Sequence, residues 1–144
     1  MSDLKPGIGL LVLVAALCGV GIATAALAGE SGPAAVAASP GEAEIRRGKL
    51  LFLQCRACHE VASGQPHKVG PNLHGVMGRK AALAEGYAYS DALKKSGLTW
   101  DFATLDNWIK HPASIVPGTT MAFVGIPGEA DRRALIAYLE SATR

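Results

Sequence analysis

Two cysteines and a histidine stand together in Cys55-Arg56-Ala57-Cys58-His59, inside the segment CRACHEVASGQPHKVGPNLHG. A spacing of three puts both thiols on one face of a helical turn, with the imidazole beside them. Four chemistries use such residues. A redox dithiol calls for Cys-x-x-Cys near a βαβ pattern, and none surrounds this pair. A zinc site calls for four ligands; no second cysteine pair follows, although His67 and His74 lie nearby. A disulfide between residues three apart on a helix is strained. Covalent haem attachment remains, with two thiols for the vinyl groups and an imidazole for the iron from the same turn.

An iron held by one imidazole has a second axial face. Met77, Met121, His67, His74 and His111 are the available donors. Met121 sits in VPGTTMAFVG, a Pro- and Gly-containing loop far enough along the chain to fold back over a ring. A lone methionine in a loop is more often core filling, but Cys-x-x-Cys-His upstream reverses that balance. The three remaining histidines, His67, His74 and His111, are read as loop or surface residues.

These residues need elements to position them. Ser39-Pro40-Gly41-Glu42 has the form of a helix start, with a capping serine, proline at the first helical position and an acid at the third. The run AEIRRGKLLFLQCRACH reads as one helix leading into the cysteines, with Ile45, Leu50, Leu51 and Phe52 as core contacts. Residues 60–89 are rich in Gly and Pro without sustained period and read as loop. Ser90 caps a short helix that Gly97 ends. Leu105, Trp108 and Ile109 fall at helical spacing until Pro112. Residues 112–127 read as loop, and Glu129–Thr143 as a closing amphipathic helix with Leu135, Tyr138 and Leu139 on one face. No strand pair is convincing. The fold class is all-α, and loops this long in so small a domain need something to pack against.

The chain has 144 residues, 49% of them hydrophobic, and a net charge of +2. From Pro6 to Gly29 there are 24 residues without a charge. As a helix they span about 36 Å, long enough to cross a bilayer. Residues 1–28 are therefore a membrane-anchor helix or a signal peptide, with Ala26-Leu27-Ala28 as the cleavage site of the second reading. The length of the run favours the anchor. Cys18 within it reads as apolar filler, since bulky Leu17 precedes it. Residues 29–41, rich in Ala, Pro, Ser and Gly, form a linker, and 42–144 a compact domain. Both readings place that domain on the periplasmic side of the membrane, anchored there or soluble. From Ile45 onward, 13 Lys and Arg stand against 8 Asp and Glu, which suits an acidic partner or anionic lipid. The basic residues are scattered, which argues against nucleic acid.

The segment from Gly48 onward resembles the class I cytochromes c, mitochondrial-type and bacterial. CRACH, GPNLHGVMGRKA, GYAYSDAL, LTWDFATLDNWIKHP, VPGTTMAFVGI and DRRALIAYLESAT carry the resemblance, in order and at family spacing. It implies a helical domain wrapped around one covalent haem c, with His59 and Met121 as axial ligands of the iron and Cys55 and Cys58 as attachment points. It implies that the Pro71 carbonyl accepts a hydrogen bond from His59, fixing its tautomer. It puts Arg79, Tyr89, Ser90, Trp100 and Thr119 around the propionates, and Trp108 and Phe123 against the ring. Gly48 would let the first helix cross the last beside Tyr138. Charge-assisted and neutral donors of these types are what buried propionates require.

The implied function is one-electron transfer rather than enzyme catalysis, because His and Met together leave no open coordination position. The implied donor is a quinol-oxidising cytochrome complex. The acceptor is a terminal oxidase or a photosynthetic reaction centre. Two other classes stay open: a haem peroxidase-like enzyme if Met121 is not a ligand, and a haem subunit of a larger membrane complex. The chain departs from the family at several points. Gln54, Ala113, Ser114 and Thr120 replace lysines of the mitochondrial docking ring, and Leu93 replaces a common asparagine. A thinned ring slows capture from solution, which a membrane tether would offset.

Overall fold

A computed structural model of the chain describes residues 40–144. The apolar segment 1–28 and nearly all of the linker 29–41, including Ser39, lie outside the described residues. Helix α1, Pro40–Leu51, opens with proline at its first position, where the missing N–H costs nothing. The single helix expected to run into the cysteines is broken. Phe52 interrupts it, and α2, Leu53–Arg56, follows as one turn. The N–H groups of Cys55 and Arg56 both donate to the Phe52 carbonyl, at 2.8 and 2.9 Å. Phe52, at the break, is 3% exposed and its ring lies 5.4 Å from that of Tyr138. Leu50, expected in the core, is exposed.

Short helix α3, Asp91–Lys95, is capped by Ser90, whose oxygen accepts from the Leu93 N–H at 3.2 Å. Gly97, at φ +66°, turns the chain away from it. Helix α4, Phe102–Lys110, is capped by Asp101, which accepts from the Thr104 N–H at 2.7 Å. Residues 112–127 are not all loop. Pro112–Ile115 form α5, started by the same proline that ends α4. Its cap is His111, whose Nδ1 accepts from the Ser114 N–H at 3.2 Å. Histidine is outside the usual capping set, so the residue types gave no helix signal there. Helix α6, Glu129–Ala142, closes the fold as expected.

Residues 60–89 hold no helix, and side chains tie them together instead. Buried Asn72 donates through Nδ2 to the carbonyls of Ala62 and Gln65 at 2.8 and 2.9 Å, while its Oδ1 accepts from the His74 N–H at 2.8 Å. His67 Nδ1 accepts from the Asn72 N–H at 2.9 Å, so Nε2 carries the proton and donates to the Glu85 carbonyl at 2.7 Å. One isolated bridge, Lys80 to Thr99, is the nearest approach to a strand pair among the described residues.

The most extensive helix pairing is α1 against α6. Gly48 makes it possible: a Cβ there would overlap the Ala134 carbonyl and press on the Tyr138 Cβ at 2.7 Å. Ion pairs Arg47–Asp131 and Arg133–Glu44 flank the crossing at the surface, where such pairs contribute little. Backbone proximity is therefore the determinant of the pairing. Gly48→Ala should destabilise the haem-loaded protein by about 1–3 kcal/mol, the usual cost of overpacking, read from urea unfolding followed by circular dichroism. An unchanged midpoint would show that the crossing relaxes freely.

Candidate functional site

Helices α1 and α4 both pack on α6. Between them and the loop 60–89 lies a cavity, and its walls include Phe52, Leu93, Leu105, Ile109, Leu135 and Leu139. All twelve residues expected at the site line it: Cys55, Cys58, His59, Pro71, Arg79, Tyr89, Ser90, Trp100, Trp108, Thr119, Met121 and Phe123. Met77, the rival methionine, packs against the core and is not among the lining residues.

The cysteines and histidine arrive from one turn. The Cys55 carbonyl accepts from the Cys58 N–H at 3.0 Å and from the His59 N–H at 2.9 Å. This turn follows directly from α2, so Phe52 sets its place. Both thiols are free. Burial pushes the Cys55 thiol up to about 11, with the neighbouring Cys58 adding to the shift, so it stays protonated at neutral pH. Among the described residues no group of three or more His, Cys, Asp or Glu side chains could hold a metal ion, which removes the four-ligand zinc arrangement there.

His59 has one orientation. Its Nδ1–H donates to the Pro71 carbonyl at 2.7 Å, leaving the Nε2 lone pair free. Burial lowers its pKa below the ordinary histidine value, against the upward effect of the Pro71 bond, and Lys68 adds a smaller downward push. A neutral ring is the form that can bind iron. Gly70, which the sequence reading passed over, lies flat against this imidazole. A Cβ there would overlap Cε1 and stand 2.8 Å from both ring nitrogens. The Gly70 N–H donates to the Cys58 carbonyl at 2.8 Å, joining the loop back to the cysteine turn. A glycine directly before the acceptor proline was the available signal.

The polar residues line the same cavity with part of their hydrogen-bonding capacity used. Arg79 Nη1 donates to the His74 carbonyl at 2.9 Å, which fixes the guanidinium and leaves further N–H donors. The Tyr89 oxygen accepts from the Ala84 N–H at 3.3 Å, Ser90 Oγ accepts as the α3 cap, and Thr119 Oγ1 accepts from the Met121 N–H at 3.3 Å. Each hydroxyl keeps its proton for a further acceptor. Trp100 and Trp108 meet edge to face at 5.3 Å, and both are buried. Leu93 is buried on the wall and presents an apolar surface there.

Two thiols on one turn, an oriented neutral imidazole, a thioether, apolar walls and a set of unspent donors fit a c-type haem. The pattern of the family described as cytochrome c matches residues 45–143. Among similar proteins, cytochrome c2 of Rhodoblastus acidophilus is 55% identical over 92 residues, covering 64% of this chain and 86% of that protein. Cytochrome c-550 of Bradyrhizobium diazoefficiens is 48% identical, covering 64% of this chain and 68% of that one. Among solved structures, cytochrome cH from Methylobacterium extorquens superimposes with a TM-score of 0.64 at 48% identity, covering 67% of this chain and 97% of that one. The cavity, its lining and these relatives agree: the chain belongs to the cytochrome c family, whose members carry electrons on one covalently bound c-type haem.

Proposed function

We propose that Cys55 and Cys58 anchor the haem, that His59 Nε2 and the Met121 sulfur are its axial ligands, and that the domain shuttles single electrons between exported or membrane-bound redox complexes. The observation that carries this reading is the convergence of these four residues on one cavity, with His59 Nδ1 committed to Pro71 at 2.7 Å. When bound, the haem supplies a one-electron couple. The chain supplies everything else. His59 and Met121 would occupy both axial positions, which favours electron transfer over chemistry that needs an open site. A thioether ligand and apolar walls raise the potential. Arg79, Tyr89, Ser90, Trp100 and Thr119 are the propionate donors in this reading, with Trp108 and Phe123 packed on the ring.

The donor class is a quinol-oxidising complex, and the acceptor class a terminal oxidase or photosynthetic reaction centre. Gln54 and Thr120, at the cavity, and Ala113 and Ser114 nearby in sequence are exposed and uncharged, while Arg56, Lys68 and Lys80 stay basic and exposed, so electrostatic steering of docking is weakened but retained. The uncharged run 6–29 supports a tether that holds the domain on the periplasmic face. The linker of about 13 residues then has a typical span of roughly 20 Å if flexible. No helix among the described residues is long and apolar enough to cross a membrane.

Three outcomes test this reading. Cys55→Ala with Cys58→Ala should yield protein without haem staining on a denaturing gel; an unchanged stained band would refute attachment at these cysteines. Met121→Ala should abolish the weak far-red absorption band of methionine-ligated ferric haem, lower the potential and raise peroxidase turnover. A wild-type spectrum in that variant would assign the position to another residue. Native protein should sediment with membranes and stay there in high salt, because an apolar span is not screened. Recovery from the soluble periplasm with an N-terminus near Gly29 would instead identify residues 1–28 as a signal peptide.

A further inference from the structure

The segment 119–128, which carries Met121 and Phe123, has no regular structure. Its downstream end is nevertheless fixed. Gly125, at φ +101°, packs so closely on α4 that a Cβ would overlap the Lys110 carbonyl. The Ile126 N–H donates to the Ile109 carbonyl at 2.9 Å. The next two carbonyls are taken by one side chain: Arg132 Nη1 donates to Ile126 at 3.1 Å and to Pro127 at 2.7 Å.

Arg132 sits near the start of α6 and is only 5% exposed. A guanidinium that far from water needs a counter-charge. Asp106, on α4, provides it with both oxygens: Nε donates to Oδ1 at 2.8 Å and Nη2 to Oδ2 at 3.1 Å. One planar fork therefore joins α4, α6 and the last turn of the loop. An ammonium could not reproduce this, since it lacks the fixed geometry that serves a carboxylate on one edge and two carbonyls on the other. Arg79 uses one donor on its own loop; Arg132 spends its donors on holding three elements together.

We propose that Arg132 and Asp106 are positioning residues for the sixth ligand: the clamp holds the loop closed and sets how often Met121 leaves the iron. This rests on Met121 being the axial ligand. Upstream, the loop is held by the Thr119 N–H to the Val116 carbonyl at 3.0 Å and the 3.3 Å bond from Met121 N–H to Thr119 Oγ1. Opening requires the downstream attachments to yield, and the Arg132 bonds are the charge-assisted ones among them. Asp106→Asn keeps the shape of the carboxylate and removes its charge. Arg132→Lys keeps the charge and removes the fork. Neither residue lines the cavity, so neither change touches the ring directly.

The test uses the full-length ferric haem protein without denaturant and imidazole as an external ligand competing for the position of Met121. Its apparent affinity is the intrinsic affinity multiplied by the fraction of open loop. Both variants should bind imidazole about tenfold more tightly than wild type, equivalent to about 1.4 kcal/mol of loop closure. Helix content by circular dichroism should be unchanged in both. A merely structural ion pair would lower the unfolding midpoint and leave imidazole affinity in native buffer within twofold of wild type; that result in a folded variant overturns the proposal. If one variant fails to accumulate as folded holo-protein, the other decides. Met121→Ala separates the two levels. If it leaves the spectrum intact, the ligand reading falls and the clamp proposal with it. If it removes the band while Asp106→Asn and Arg132→Lys change nothing, only the clamp falls.

Discussion

The buried side chains of this domain surround a space that they do not fill. Phe52, Leu93, Leu105, Trp108, Ile109, Leu135 and Leu139 all turn toward one cavity. Close packing is the normal state of a protein interior, and a flat apolar group seated here would be contacted by these walls on both faces. That constraint explains the architecture. The helices share one hydrophobic cluster, and that cluster also forms the walls of the cavity. A flat, apolar group restores the missing contacts and gives the residues of the long loop 60–89 something to rest on. The same reasoning accounts for the close approach at Gly48. There α1 and α6 secure each other through direct backbone proximity.

Function follows from which atoms point into the hollow and which are committed elsewhere. His59 is oriented from two sides, by the Pro71 carbonyl at 2.7 Å and by the bare face of Gly70. Such a ring would keep its orientation whatever the charge on a metal bound at Nε2. Arg79, Tyr89, Ser90 and Thr119 each spend part of their capacity on the backbone, which fixes them without exhausting them. Fixed dipoles of this sort reorganise little when charge changes by one unit. An electron carrier needs this property, since every reorganised dipole adds to the barrier for transfer. Asp106 and Arg132 extend the same logic outward, to a loop without helix or strand that must nevertheless hold Met121 in place.

Much of this was legible in the sequence because it depends on short-range chemistry. Cys55, Cys58 and His59 announce themselves by spacing alone. Ser90 and Asp101 cap helices by the local bonds that make them favoured caps. Proline at position 40 and glycine at position 97 mark ends because their own backbones impose them. What was missed is tertiary. The break falls at Phe52, whose ring contact with Tyr138, 86 positions away, no local pattern shows. Helix α5 hides behind an uncommon histidine cap and a proline that reads first as a stop. His67 looks like any loop histidine until Asn72 and Glu85 are placed beside it. Arg132 reads as one charge on an amphipathic helix, and only the arrival of Asp106 from α4 shows that it is buried. The proposed propionate donors are visible through family resemblance and not through periodicity, since no local rule distinguishes Trp100 at a site from Trp100 in a core.

The most direct test of the hollow-core reading is mass spectrometry of the native protein, intact and after proteolysis. One haem per chain should be found, with its mass added to the peptide that contains Cys55 through His59 and retained under denaturing conditions. A peptide of unmodified mass, or one shortened only by the two hydrogens of a Cys55–Cys58 disulfide, would contradict covalent haem as the occupant of the cavity.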